Sequence, residues 1–473
     1  MTVAIEIKPD RWHDEVAKLL AAGARFAALY GTDDRGVRCV MMSETSGGSK
    51  AVVLRTQCDA AVQSVIDLAP AEWDEREAHD LYGIQFDGHD PMRPFVNIDE
   101  SSDDWQVPVT GVGVHEIAVG PIHAGIIESG HFRIHAVGEL MLLVDVRLFY
   151  KHRGLEAAAQ GRSFDEGQRL IQRACAGCAV ANSLAYVMAV EELLGVRVAP
   201  RIARQRTLLL ELERLWNHLN DLSAMCAGVG FAPGTMAFAA LKEDAQRLND
   251  RLFGHRFLFN TVSLDCAVTP LSPEQGQDVR ATLAKLSSDL DTAWRVVLFN
   301  ASVQERWRGA GVLPHKAAAR AGAVGPAARA SGINIDARVG AVGLAYDDFT
   351  ASVLHDTSGD AAARARQRHA ELLVSINLLN RLTADADDEG RSQRRVRPTQ
   401  RRLTLVGVGR VESARGETIC CVEADGDKIT RVHLRTASYR NWPLVAAAAA
   451  DNLVGEFPII NKSFELCYSC VDR

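Results

Sequence analysis

The 473-residue sequence predicts an α+β protein: a small N-terminal α/β domain, then a larger domain in which a bundle of long helices is flanked by peripheral β-strands. Three observations carry that prediction. Short helical and extended patterns alternate through the first hundred residues, long helical runs dominate from Phe164 to about Ser263, and strand-like segments return between Arg402 and Arg435. With 47% apolar and 24% charged residues the chain can bury a core large enough for two or three domains.

The elements follow in order. Trp12 to Ala22 has the spacing of an amphipathic helix, RFAALYGTD, VRCVMM and AVVLRTQ read as extended, and Asp59 to Leu68 reads as helix-like. The polar, acidic segment NIDESSDDWQ marks a linker, so the boundaries are set at residues 1–100, 101–112 and 113–473. From Val114 to Leu148 the chain is strand-like, with a turn at Gly120 to His123 and with His131, Arg133 and His135 alternating with apolar residues. The long helical stretches after Phe164 include RTLLLELERLWNHLNDLSAMCAGVGF and break at Pro200 and at a Pro233-Gly234 turn. Further helices are expected at Pro273 to Asn300 and Ala362 to Leu382. The strands LTLVGVGRVES, TICCVEADG and ITRVHLR precede a cysteine-bearing tail, INKSFELCYSCVDR.

Composition excludes several roles. A net charge of -7 argues against nucleic acid as a partner, since phosphate binding needs a concentrated basic surface. The run from Arg391 to Arg402 directly follows Asp385, Asp387, Asp388 and Glu389 and reads as a solvated loop. No stretch of about 18 consecutive apolar residues occurs, and the N-terminus lacks the basic-then-apolar order of a secretory signal. The expected location is therefore cytoplasmic, with any membrane contact made through partners.

Ten cysteines in such a chain read as thiols, and four form two C-x-x-C pairs, Cys175 with Cys178 and Cys467 with Cys470. Four thiolates suffice to hold a metal if the fold brings the two pairs together. Spacing alone leaves a structural zinc site, unrelated buried thiols and a redox or catalytic metal all open. Adjacent Cys420 and Cys421 point to opposite sides of a strand and read as packing residues. The Glu75, Arg76, Glu77 and Asp80 cluster reads as part of a subunit interface.

Several segments in the same order over residues 112–473 resemble the large subunits of membrane-bound, energy-converting nickel-iron hydrogenases of the formate hydrogenlyase type. They are GPIHAGIIESGHFR, LFYKHRGLE, RACAGCAVANSLAYVMAVEELLG, ELERLWNHL, GAVGPAARASGINIDAR and NWPLVAAAAADNLVGEFPIINKSFELCYSCVDR. Upstream, WDEREAHDLYGIQFDGHDPMRPF resembles the small hydrophilic complex I subunit that is fused ahead of that domain. The related complex I subunit that helps form a quinone site has lost the cysteines, whereas all four remain here.

The resemblance implies a centre of nickel and an iron bearing carbon monoxide and cyanide. Cys175 and Cys467 would be terminal ligands to nickel, and Cys178 and Cys470 would bridge the metals. Arg415, in VESARGE, matches the arginine overhanging the metals. Glu156, in HRGLE, matches the glutamate that begins the proton path, and burial is expected to raise its pKa toward neutrality. His123 is the cofactor-facing candidate, because it lies in the segment that faces the quinone pocket in the complex I relative; for His123, His131 and His135 alike a hydrogen-bonded structural role is the competing reading. Implied partners are an iron-sulfur small subunit, integral membrane subunits and metal-centre maturation proteins, with the complex on the cytoplasmic face of the membrane. Family precursors often lose a C-terminal extension after a basic residue just past the last cysteine, and the end at Arg473 matches a processed terminus. A non-catalytic, complex I-like coupling subunit is the alternative.

The sequence departs from the family at four points. Ala176-Gly177 stands between the first thiols where Gly and an aliphatic residue are usual, and Asn182 replaces a His four residues after Cys178. Ala414 replaces a proline, and Glu465-Leu466 replaces Asp-Pro. The change at Asn182 is expected to alter a hydrogen bond around the ligands.

Overall fold

A computed structural model describes residues 2–45, 48–58, 61–96, 98, 102, 104–123, 128–264, 271–347, 349, 357–384 and 405–473. The charged stretch at 385–402 and parts of the expected linker lie outside the described residues.

The amphipathic run near the N-terminus is helix α1 (Trp12–Ala21), with Trp12 and Val16 turned into a core. Strands β1 (Val3–Glu6), β2 (Arg25–Gly31), β3 (Gly36–Thr45) and β4 (Gly48–Gln57) form a sheet of order β1-β4-β3-β2, parallel between β1 and β4 and otherwise antiparallel. The helix-like reading of Asp59 to Leu68 is incorrect. Strand β5 (Val62–Gln63) runs there, parallel to β6 (Phe86–Asp87). The Glu75 carboxylate, on helix α2 (Glu72–Tyr82), accepts from Ser64 Oγ and the Val65 N–H at 2.7 Å each. A buried carboxylate thus fixes the extended chain against its local helical preference.

Strands β7 (Val114–Val119), β8 (His131–Val137) and β9 (Leu140–Arg147) form an antiparallel sheet in sequence order. The alternation in β8 does not separate a wet face from a dry one, because Phe132 to Ala136 are all buried. Arg133 is tolerated there by pairing with Glu116 on β7 and Asp145 on β9.

The helical part comprises α3 (Leu155–Ala159), α4 (Phe164–Ile171), α5 (Ala179–Leu194), α6 (Pro200–Gly228), α7 (Ala232–Phe253), α8 (Pro273–Leu298), α9 (Ala301–Trp307), α10 (His315–Arg320), α11 (Gly325–Ala330) and α12 (Ala361–Ala384). Ser163 and Ser272 close capping boxes with Glu166 and Gln275 at the starts of α4 and α8. Pro200 occupies the first turn of α6, and Pro233 lies in the first turn of α7 rather than in a separate turn, since proline's missing N–H has no partner to lose at that place. Ala176–Leu194 is the one segment among the described residues long and apolar enough to cross a membrane, yet 78% of its apolar window is buried inside the fold, so α5 is a core helix.

Strands β10 (Gly407–Ser413), β11 (Gly416–Asp425) and β12 (Lys428–Arg435) form a second antiparallel sheet, followed by α13 (Ala437–Ala449), α14 (Phe457–Phe464) and α15 (Ser469–Asp472). This sheet joins the two halves. One face, with Cys420 and Val422, belongs to the main core beside α5; the other, with Ile419 and Cys421, packs against Ala28, Tyr30 and Val53 of the N-terminal sheet. The opposite orientation of the adjacent cysteines is as expected. Glu417 sits at this junction, ion-paired with Arg25, Arg410 and Arg440.

Contact between α5 and β10 depends on two glycines. A Cβ on Gly407 or Gly409 would fall 2.0 or 1.8 Å from the carbonyl oxygen of Ala189 or Ala185. Gly409→Ala is therefore expected to force the helix off the sheet and lower stability by about 1–3 kcal/mol, read from the midpoint of denaturant unfolding.

Candidate metal centre

The fold brings both cysteine pairs together. Cys175 is extended, a single 3-10 turn covers Ala176 to Cys178, and Cys178 forms the N-cap of α5. Cys467 lies in the link between α14 and α15, and Cys470 in the single turn of α15. All four Sγ atoms lie within 4.8 Å of one another, and Cys178 and Cys467 are 3.9 Å apart. That spacing is well beyond an S–S bond and suits thiolates sharing a metal centre. Cys175, Cys178 and Cys470 are buried and Cys467 is half-buried. Hydrogen bonds from the other three thiols favour the Cys175 thiolate, pulling its pKa well down, while the hydrogen bonds that Cys178 and Cys470 make to neighbouring thiols, together with burial, push theirs up. Four thiolates at such close quarters require a cation.

Helix α6 supports the centre with a polar stripe at i, i+4 and i+8. The Glu213 carboxylate accepts from the N–H groups of Val180 (2.6 Å) and Ala181 (3.0 Å), capping α5 just after Cys178. Asn217 Nδ2 donates to the Gly177 carbonyl at 2.8 Å. A Cβ at Gly177 would stand in ordinary contact with the site, 3.4 Å from Asn217 Oδ1 and 3.6 Å from the Cys175 sulfur. Asp221 accepts from Arg415 Nη2 at 3.3 Å and from Arg368 Nε at 3.1 Å.

Arg415 is held on three sides, by Asp221, by the Asn217 side-chain oxygen, and by the Glu465 carbonyl at 2.9 Å. Burial acts against its charge, but the Cys467 sulfur and Asp221 outweigh burial and the guanidinium stays cationic. The turn carrying it needs no proline at Ala414: Ser413 Oγ donates to the Gly416 carbonyl at 2.8 Å and accepts from the Arg415 N–H. Gly325, at φ +67°, packs backbone to backbone on this turn, and a Cβ there would lie 2.2 Å from the Arg415 carbonyl oxygen.

A cavity of about 160 Å³ opens beside the thiols, lined by Cys175, Cys467, Arg415, Asn217, Trp216 and Glu128, among others. The opening separates this cluster from a sealed structural site. Glu128 Oε2 accepts from the Ser469 N–H at 2.8 Å, between the last two thiols in sequence.

Glu156 does not share this cavity, and its expected rise in pKa is overturned. Burial acts to raise it, but Arg473, His433 and Arg431 prevail and hold the carboxyl well below the usual range. It accepts from Arg431 Nη1 (2.8 Å), Arg473 Nε (2.6 Å) and the Leu434 N–H (2.8 Å). Two carboxylates line the thiol cavity, Glu128 and Glu465; sequence reasoning gave Glu128 no role although it lies in the quoted GPIHAGIIESGHFR. Also missed were Glu213, Asn217 and Asp221, whose four-residue spacing in an apolar helix was the available signal.

His123 is exposed and does not line the cavity. His131 and His135 are carried on β8; burial, with Arg133 and Arg147 nearby, holds His131 below its ordinary pKa. Asn182 is fully buried and neither amide atom has a hydrogen-bond partner, so the side chain that replaces the expected His makes no bond to the ligands. The cluster on α2 builds joints within the chain. Glu75 binds Ser64, Val65 and His89, Asp80 accepts from the Phe95 and Val96 N–H groups, and Glu77 pairs with Arg473.

Comparison with known proteins agrees with this two-part architecture. Residues 5–110 match the family described as the 30 Kd subunit of the respiratory-chain NADH dehydrogenase, and residues 228–406 match its 49 Kd subunit. The chain is 27% identical to formate hydrogenlyase subunit 5 of Escherichia coli (strain K12), covering 100% of this chain and 89% of the relative. It is also 27% identical to the C/D component of an NADH-quinone oxidoreductase from Phocaeicola vulgatus, covering 94% of each. Its fold matches a chain of the membrane-bound sulfane sulfur reductase, an archaeal respiratory membrane complex, with a TM-score of 0.67 at 24% identity, over 76% of this chain and 99% of that one.

Glu213 supplies a test in the metal-free protein. Burial raises its pKa from 4.5 to about 8 despite the two N–H donors. The native state therefore keeps a proton that the unfolded chain loses, and the associated stability is complete below pH 4.5 and lost as pH rises through about 8, at about 1.4 kcal/mol per pH unit. Glu213→Gln is expected to abolish this slope in denaturant unfolding measured between pH 5 and 8.

Proposed function

We propose that this chain, a fusion of 30 kDa-like and 49 kDa-like complex I domains, is the catalytic subunit of a nickel-iron hydrogenase of the formate hydrogenlyase type. The observation that carries the reading is the convergence of four thiols beside an open cavity overhung by a cationic arginine. Donor chemistry fits the metals: thiolate is soft, suits nickel and low-valent iron, and can bridge them. Cys175, Cys178, Cys467 and Cys470 would together hold a centre of nickel and of iron carrying carbon monoxide and cyanide. When bound, such a centre supplies the heterolytic cleavage or formation of dihydrogen.

The chain's own groups would prepare the cavity for that chemistry. Arg415, fixed by Asn217, Asp221 and the Glu465 carbonyl, places a charged guanidinium over the thiols to polarise and position a small substrate; its retained charge argues against service as a base. Of the two carboxylates lining the cavity, Glu128, held there by the Ser469 N–H, would exchange a proton with it, whereas Glu465 is paired with Lys462. Glu156 is reassigned to a structural ion pair. Cys39, Cys58, Cys226, Cys420 and Cys421 are all buried away from the four clustered thiols, so among the described residues nothing else in the chain would carry electrons onward. An iron-sulfur small subunit is the implied electron partner, with membrane subunits anchoring the assembly on the cytoplasmic face and maturation proteins delivering the metals.

The likeness to an NADH-quinone oxidoreductase component favours a second reading, a coupling protein that retains thiols without nickel. Infrared absorption of the complex from its native host separates the two: iron-bound carbon monoxide and cyanide bands, with nickel present, are expected. Folded protein with partners bound but no such bands, or with zinc in place of nickel, would refute the enzyme. Cys470→Ser is expected to abolish hydrogen turnover, whereas Glu128→Gln is expected to lower it by about 100-fold or more at unchanged nickel content, measured with an artificial electron carrier.

A further inference from the structure

Helix α2, in the N-terminal part, reaches the thiol-bearing tail through one side chain. Glu77 Oε1 accepts from Arg473 Nη2 at 2.5 Å, and Arg473 Nε donates to Glu156 at 2.6 Å; Glu77 is 5% exposed and Arg473 2%. Arg473 stands three residues after Cys470. Other ties on this tail come from outside the N-terminal sheet and its helices, among them Thr436 Oγ1 donating to the Cys470 carbonyl, Arg153 to the Ser469 carbonyl, the Phe149 N–H to the Asp472 carboxylate, the Ser469 N–H to Glu128 and the Cys467 N–H to Ser438 Oγ.

Charge balance assigns Glu77 its part. Glu156 already pairs with Arg431, and His433 and the Leu434 N–H also meet it. Two buried guanidiniums therefore face two carboxylates, and removing Glu77 leaves one cation in excess. Glu77, Glu156 and His433 also lie within 4.8 Å of one another, as ligands of a cation would. Arg431 and Arg473 occupy these carboxylates with like charge, so the cluster is filled by guanidinium rather than by a metal ion.

We propose that Glu77 is a positioning residue for the metal centre: by holding Arg473 it keeps the Cys467–Cys470 turn closed on the first cysteine pair, so that the N-terminal part completes the thiol pocket. The proposal builds on the nickel-iron reading in one of its readouts only. It predicts reciprocity as well, since a metal that locks the tail also favours docking of α2.

The test is hydrogen–deuterium exchange of the tail together with nickel per chain, in the complex purified from its native host. Glu77→Gln is expected to speed exchange across residues 465–473 by about tenfold or more and to lower nickel content at least about twofold. Glu77→Asp, which keeps the charge, is expected to retain most of the protection. Glu192→Gln breaks the contacts of Glu192 with Thr2 and the Val408 N–H, elsewhere on the same interface, and is expected to leave the tail protected. Unchanged exchange in Glu77→Gln overturns the proposal. So does equal loosening by Glu192→Gln, which would show general docking, or by Glu77→Asp, which would show packing rather than charge. Absence of nickel from the wild-type complex would defeat the hydrogenase reading instead, while exchange of the tail would still decide the role of Glu77.

Discussion

Two short segments nearly three hundred residues apart share one buried pocket because common elements bind both, and the longest of these is α6; Arg153, which donates to the Ala174 and Ser469 carbonyls, is a second. The α6 stripe of Glu213, Asn217 and Asp221 meets the first cysteine segment through backbone groups and the second through Arg415, which in turn grips the Glu465 carbonyl. A 29-residue helix buried along most of its length has little freedom to shift, so distances set along it are transmitted to the sulfur atoms.

The same helix heads a wider ionic core. Arg329 is paired with Glu371, Glu412 and Asp336, Arg338 with Asp336, and Arg206 with Glu191, all nearly or fully buried. Each partner prevents the severe penalty of a lone internal charge, and together they commit the helices to one arrangement. Arg364 differs: its donors go to Ser463 Oγ and to the Gly359 and Gly311 carbonyls, and burial lowers its pKa to about 9.

Much of this was legible in the chain. Periodicity and proline breaks located the long helices, and strand patterns located both β8 and the β10–β12 sheet, because those signals are local. The pairing of the two C-x-x-C motifs was also legible, though only the fold could show the open cavity. Misreadings arose where a distant side chain decides. Val62 to Val65 is extended because Glu75 binds it, and Glu156 stays ionised because Arg431 and Arg473 fold onto it from more than 270 residues away. Glu128 was overlooked because nothing in its neighbours announces that Ser469 will receive it.

Cys178 begins α5, yet its side chain makes no capping bond; Glu213 does that work from another helix. The Cys178 thiol is thus not needed to cap α5. Small zinc modules spend metal affinity on folding, since without the ion they have no structure. In this chain the scaffold is assembled by carboxylates, amides and guanidiniums, which leaves the sulfur atoms preorganised and their full affinity available for selecting the cargo. A lineage could lose the cysteines one by one and keep the architecture, free to put the vacated chamber to a different use.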